Sequence, residues 1–323
     1  MGGAWGGYLV IEPSQLENVK DIFIILAIQK FEECKRQLQN MAFVQNDNML
    51  VAVEGIADKY LEDFKDKNEA EVVVLGDCTL NSISLRENEK ECLAEKFDSD
   101  LNIKVLAQNG IYMRFYYNIF NLCIRNMHRL KKVVLMFSVD IFSNQYHMLP
   151  ANQHKDILDA ICMEGEKKSS ELCDFIKEVE IRNRSNAINF SSPNRGIENE
   201  ELILRELRNH TLINYLYRMK KDNESLKYLR KFIQLCHVSG VECVCILMPV
   251  NYEMGLDLFS TDFIEKYEKN KAKICDVISE EKGFFCDLSY QLRGDQFMTN
   301  RSSNEGILYK GRTEVYDRVK LFL

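Results

Sequence analysis

The stretch Val72-Val73-Val74-Leu75-Gly76-Asp77-Cys78-Thr79-Leu80-Asn81-Ser82 constrains the fold more than any other part of the chain. A short, unbroken run of β-branched and aliphatic residues reads as a strand covered on both faces, the condition of a parallel sheet. The run stops at Gly76-Asp77. Glycine permits a tight turn and aspartate can hydrogen-bond the local backbone, so the turn presents Cys78 at the strand's end. In an open α/β sheet, that end is where ligands bind.

Strand patterns recur at 71–75, 102–106, 132–137, 241–248 and 284–287, with helical patterns between them at 88–97, 111–130 and 262–281. Such alternation implies a parallel sheet with right-handed crossovers. We therefore expect a three-layer α/β/α sandwich, flavodoxin-like in strand order, over residues 69–323. Residues 1–68 are expected to precede it as an N-terminal helical extension. Its helices are expected over 14–45, opened by Pro13-Ser14, and over 48–66, where Leu50, Val53, Ile56, Tyr60 and Phe64 share a face. One gap breaks the rhythm, because Phe137 to Val241 is far longer than a crossover needs. Its middle reads as helical over 152–180 and 198–238, with a break near Asp222-Asn223. Residues 145–222 are thus expected to form a helical insertion over the C-terminal edge of the sheet, serving either packing or substrate access.

Composition narrows the class. A chain of 323 residues with 18 Phe and 14 Tyr can bury a large core, and 4 Pro with 15 Gly argue against disorder. The net charge of −7, without a dense basic tract, argues against a nucleic-acid partner. The 11 cysteines are scattered, mostly in apolar contexts such as Leu122-Cys123-Ile124, and form no Cys-x-x-Cys pair. Neither a zinc site nor a redox dithiol is expected, and most of these residues read as buried thiols in a reducing compartment. No apolar run approaches the roughly 20 residues of a membrane span, so a cytoplasmic location is expected. There is no Gly-rich phosphate loop and no paired-histidine motif, so no cofactor is expected.

A strand running into Gly-Asp and a nucleophilic side chain resembles the first block of the SGNH/GDSL hydrolase and acyltransferase superfamily, with Cys78 where that family has serine. The resemblance runs from about residue 68 to 322, outside the insertion, and is carried by an ordered set of blocks. Ala107-Gln108-Asn109-Gly110 follows the second strand, where the family places an oxyanion-hole glycine. The resemblance implies the Gly110 N–H and the Asn109 amide as donors; a plain helix start capped by Asn109 fits the same residues. After the third strand, Phe137-Ser138-Val139-Asp140 stands for Gly-x-Asn-Asp. Val139 replaces the asparagine donor there, and Asp140 matches the last residue. The fourth strand ends in Pro249-Val250-Asn251. This is similar to members related to D-alanyl-lipoteichoic-acid transfer and alginate acetyltransferases, and it is also a turn signal. In the last block, Asn304-Glu305-Gly306 precedes Lys310-Gly311-Arg312, so Gly306 occupies the place of the family's histidine. No histidine follows His237.

The resemblance implies acyl transfer, or acyl ester or thioester hydrolysis, through a covalent acyl-enzyme on Cys78. The substrate would be a small-molecule or carrier-protein-bound acyl group. A thiol at the start of a helix needs a base less than a serine hydroxyl does, so Ser-to-Cys together with His-to-Gly is a coherent pair of departures. Glu305 and Asp140 are candidates to polarise a water or substrate group, and His147 and His154 are further candidate bases. The same two departures also fit a catalytically degenerate binding or scaffold protein, and Cys78 would then be a buried or vestigial thiol.

Overall fold

The structure is a computed structural model, and it describes residues 3–5, 8–10, 24–26, 49–51, 69–83, 87–89, 91–100, 102–107, 111–143, 200–298 and 306–323. The chain divides into two compact units, Met1–Lys59 and Tyr60–Leu323, against the expected boundary at 68/69.

In the first unit, β1 (Gly3–Trp5) pairs antiparallel with β2 (Tyr8–Val10), and β3 (Ile24–Leu26) pairs parallel with β4 (Met49–Val51). The last two overturn the helical reading at those positions, since 14–45 and 48–66 were expected to be helices. Ile24-Ile25-Leu26 and Met49-Leu50-Val51 are apolar, and Ile24, Ile25 and Val51 are β-branched. A helical pattern read over a long window hides such a three-residue run, whose stiff side chains fit a pleated pair. The rest of those two spans lies outside the described residues.

The second unit is built on β5 (Val72–Gly76), whose five residues are all buried. The chain then forms the one-turn helix α1 (Cys78–Asn81), α2 (Leu93–Asp98), β6 (Ile103–Ala107), α3 (Met113–Asn126) and β7 (Lys132–Phe137). A 3₁₀ turn at Val139–Phe142 follows, and after the undescribed stretch come α4 (Glu200–Asn214), α5 (Glu224–Val238) and β8 (Glu242–Leu247). The chain closes with α6 (Tyr252–Phe259), α7 (Thr261–Glu280), β9 (Phe284–Asp287) and α8 (Tyr309–Val319). All four pairings of this sheet are parallel, in the order β6-β5-β7-β8-β9. With the strands numbered within this sheet, that is the flavodoxin-like order 2-1-3-4-5.

Helices cover both faces. Along each strand, alternate residues point to opposite sides. Val72, Val74, Val134, Met136, Val244 and Ile246 share one core with Leu93 and Phe97 of α2 and with Val315 and Val319 of α8. The other face is covered by α3, α5 and α7, where α5 packs on α3, α7 and β8, and the Phe120 and Phe232 rings lie 4.8 Å apart. The fold is therefore the expected three-layer α/β/α sandwich. The helix expected at 262–281 is α7 (Thr261–Glu280), in the crossover from β8 to β9. A further helix, α6, precedes it in the same crossover and is separated from α7 at Ser260, which adopts φ +53°. The break expected near Asp222-Asn223 is present, since α4 ends at Asn214 and Asn223 caps α5 by accepting from the Leu226 N–H (3.2 Å).

The α4–α5 connection holds the turn after β7. Tyr217 Oη donates to the Val139 carbonyl (2.9 Å), Ser225 Oγ to that of Ile141 (3.1 Å), and Asn223 Nδ2 to that of Phe142 (2.8 Å). A short 3₁₀ turn leaves its carbonyls without partners of its own, and these three side chains supply them.

Candidate functional site

The site is built from the C-terminal ends of the strands. β5 lies between β6 and β7, so the chain leaving it is flanked by the segments leaving those two strands. Gly76, opposite Ala107, is needed because the Leu80 side chain folds back onto it where a β-carbon would stand. Asp77, 2 % exposed, is the N-cap of α1, and its Oδ1 accepts from the Thr79 N–H at 2.9 Å. Cys78 follows as the first helical residue and is half-buried. Its carbonyl accepts from Ser82 Oγ (2.7 Å), and Asn81 Nδ2 donates to the Ala107 carbonyl (3.2 Å). That last bond ties the Cys78 turn to the end of β6, where the chain enters 108–110. The turn is thus fixed by an aspartate cap, a buried leucine and a strand-end carbonyl, and it leaves the thiol at the strand tip.

Among the described residues, most of the other thiols are held up by their surroundings; Cys243 is the exception, lowered by its bonds with Cys236 and Cys245 against burial. Complete burial pushes the Cys123 thiol up to about 12. Burial and a bond to Cys243 raise Cys236 above the ordinary thiol range, and the Cys243 contact together with burial raises Cys245. Burial also raises the half-buried Cys275 and Cys286.

Asp140 lies one strand over, in the 3₁₀ turn after β7, 5 % exposed. Ser138 Oγ donates a short hydrogen bond to its Oδ1. Burial, followed by the nearby Asp140 charge, pushes the Tyr217 hydroxyl well above its usual range. Burial also raises Tyr267, against the hydrogen bond it makes to Ser289, and Asp140 contributes. Asn251, after β8, is 3 % exposed and caps α6, accepting from the Met254 N–H (3.2 Å). This cap is the turn role that Pro249-Val250-Asn251 also signals. Gly306 is buried, and its carbonyl accepts from the Met298 N–H (2.7 Å) beside the Phe297–Ile307 bridge.

The structure thus brings Asp77 and Cys78 to one strand end and Asp140 to the end of the neighbouring strand. Asn109, Gly110 and Glu305 lie outside the described residues, as do His147 and His154. Sequence reasoning missed the polar cluster after β9. Asp287 pairs with Lys271 (2.8 Å), and Lys271 also pairs with Glu268 (2.6 Å). Ser289 Oγ donates to Asp287 (2.5 Å), Tyr267 Oη to Ser289 (3.1 Å), and Tyr290 Oη to Glu268 (2.6 Å). On the sequence, Glu268 and Lys271 look like the solvated face of a charged helix, and only the Asp287-x-Ser289 spacing hints at a turn. Among the described residues, no group of three or more His, Cys, Asp or Glu side chains is arranged to hold a metal ion. No described helix is long and apolar enough to cross a membrane.

No family model matches the sequence, and no curated protein matches it. Solved structures do. A putative acylhydrolase from Bacteroides fragilis is 11% identical, with 82% of this chain and 92% of that one covered and a TM-score of 0.39. A GDSL-like lipase from Bacteroides thetaiotaomicron is 10% identical, covering 82% and 96%, at a TM-score of 0.40. A catalytic mutant of an acetylxylan esterase from Geobacillus stearothermophilus is 10% identical, covering 77% and 92%, at 0.39. The α/β class stands on the strand order of the sheet itself.

Proposed function

We propose that the chain carries out acyl transfer, or hydrolysis of an acyl ester or thioester, with Cys78 as the nucleophile. The observation that carries this reading is the half-buried thiol of Cys78 at the tip of β5, in a turn fixed by the Asp77 cap. In the mechanism, the Cys78 thiolate attacks the acyl carbonyl and forms a tetrahedral oxyanion. The N–H groups of Cys78 and Gly110, with the Asn109 amide, receive that charge. The intermediate collapses, expels the donor's alkoxide or thiolate, which takes a proton from solvent, and leaves an acyl-thioester on Cys78. Water or an acceptor nucleophile, polarised by Asp140 or Glu305, then displaces the thiolate and completes the cycle. Attack of a thiol on a thioester exchanges like for like. A cytoplasmic acyl-CoA or a carrier-protein thioester therefore suits this nucleophile better than an oxygen ester does.

One observation favours a second reading, a catalytically degenerate binding or scaffold protein. Gly306, in the place where the resemblance puts a histidine, is buried and offers no base. Intact-mass measurement after incubation with a panel of acyl thioesters separates the two readings. The acyl-transfer reading expects a mass gain of one acyl group in the natural chain and none in Cys78→Ala. No gain with any donor, or an equal gain in Cys78→Ala, favours the binding protein.

A further inference from the structure

A buried ion pair joins the chain after the Cys78 turn to the start of α8. Arg312, in the first turn of α8, is completely buried, and its Nη1 pairs with Glu87 Oε2 at 3.0 Å. The same guanidinium donates through Nε to the Glu91 carbonyl (3.2 Å) and through Nη1 to the Ile307 carbonyl (2.8 Å). The other Glu87 oxygen accepts a short hydrogen bond from the Tyr309 N–H and so caps the start of α8. One Glu–Arg pair therefore joins the segment that leaves the Cys78 turn to the segment 306–309. Ile307 packs in the same core cluster as Leu80, the residue that seats the turn against Gly76.

A buried pair of this kind is a poor source of stability, because desolvation offsets most of its attraction and an apolar pair of similar volume often does as well. What it supplies is geometry. Arginine's rigid fork reaches three chain segments at once, which a lysine ammonium on its flexible stem cannot reproduce. Arg312 Nη2 is buried with no hydrogen-bond partner, so the guanidinium is placed for its other contacts, at the expense of this donor.

We infer that Glu87 and Arg312 are positioning residues for the Cys78 turn. The inference rests on the proposed function only in taking Cys78 as the reactive thiol. Releasing the pair loosens Ile307, then the seat of Leu80, and then the turn that holds the thiol.

The test compares the natural chain with the double variant Glu87→Met/Arg312→Met, which removes both charges together, and with Arg312→Lys. The readouts are the thermal midpoint and the iodoacetamide alkylation rates of Cys78 and of Cys275, a half-buried thiol on α7 outside this cluster. In the double variant we expect a lower midpoint with the cooperative transition kept, because the Tyr309 N–H and the Glu91 and Ile307 carbonyls lose these partners, an unchanged Cys275 rate and a Cys78 rate at neutral pH slower by about fivefold. We expect Arg312→Lys to slow Cys78 as well, despite keeping the charge. A Cys78 rate within about twofold of the natural chain in a folded variant overturns the inference. So does a change shared equally by Cys275, which is what general loosening produces. If the double variant does not fold, the pair is structural and the inference fails. A natural chain that takes no acyl group while Cys78 alkylation responds as described ends the acyl-transfer reading and leaves the positioning role standing.

Discussion

At the scale of single residues, the candidate site is an argument about which thiol is available. Thiol reactivity follows exposure and thiolate fraction. Cys78 combines partial exposure with a place at a capped turn, whereas burial raises Cys123 and Cys236, the Cys243 contact together with burial raises Cys245, and Cys243 itself, though lowered, is buried. A short iodoacetamide pulse at pH 7, read by peptide mass spectrometry, is therefore expected to label Cys78 ahead of Cys275 and Cys286. Cys123 and Cys245 should react only after unfolding. Equal labelling of Cys78 and Cys275 contradicts the assignment. Asp77 adds a second prediction. Its carboxylate caps α1, and Asn at the same position keeps an acceptor oxygen. Asp77→Ala should cost about 1 kcal/mol and Asp77→Asn only a few tenths, measured by denaturant titration. If the two lose the same amount, the cap is not what holds the turn.

At the scale of elements, the joint between α7 and β9 is electrostatic. Burial opposes the Asp287 charge, but hydrogen bonds from Lys271 and Ser289 outweigh it and hold the carboxyl below its usual 3.8. Burial likewise opposes the Lys271 charge, and Asp287 and Glu268 outweigh it, so its pKa lies above the usual 10.5. For Asp287, the folded value is the lower one. Its contribution is present in full above pH 3.8 and is lost as pH falls through the folded value. For Lys271, the folded value is the higher one. Its contribution is present in full below pH 10.5 and is lost as pH rises through the folded value. Lys271→Met should lower stability at pH 7 by about 1–3 kcal/mol, discounted because Asp287 is partly exposed, and should flatten both limbs of the stability profile. A variant that keeps both limbs shows that the pH dependence lies elsewhere. None of this joint was legible beforehand, because a Glu–Lys spacing of three on a polar helix looks the same whether its partner is water or an aspartate from another strand. The strands were legible for the opposite reason. Val72–Gly76 and Val133–Phe137 are short continuous apolar runs bounded by turn or charged residues, the pattern of strands covered on both faces. β3 and β4 were not, since three apolar residues inside a longer periodic window satisfy a helix as well as a strand.

At the scale of the whole molecule, the sheet tolerates a long excursion between two neighbouring strands. β7 ends at Phe137 and β8 begins at Glu242, yet the two pair along their full length. Loop-closure entropy grows only with the logarithm of length, so the excess over an ordinary crossover costs roughly 1 kcal/mol, which the buried strands of the core can offset. The division between Lys59 and Tyr60 then has a consequence for the chain as a unit. All five strands of the main sheet, both covering helix layers, the Cys78 turn and the Glu87–Arg312 pair lie within 60–323. Each described bond that fixes the turn also has both partners there. A fragment spanning 60–323 is therefore expected to unfold in one cooperative transition and to keep the preference of iodoacetamide for Cys78 over Cys275. Circular dichroism on heating and the same alkylation pulse check it. A fragment that melts without a transition, or labels both thiols alike, shows that residues 1–59 help to build the domain.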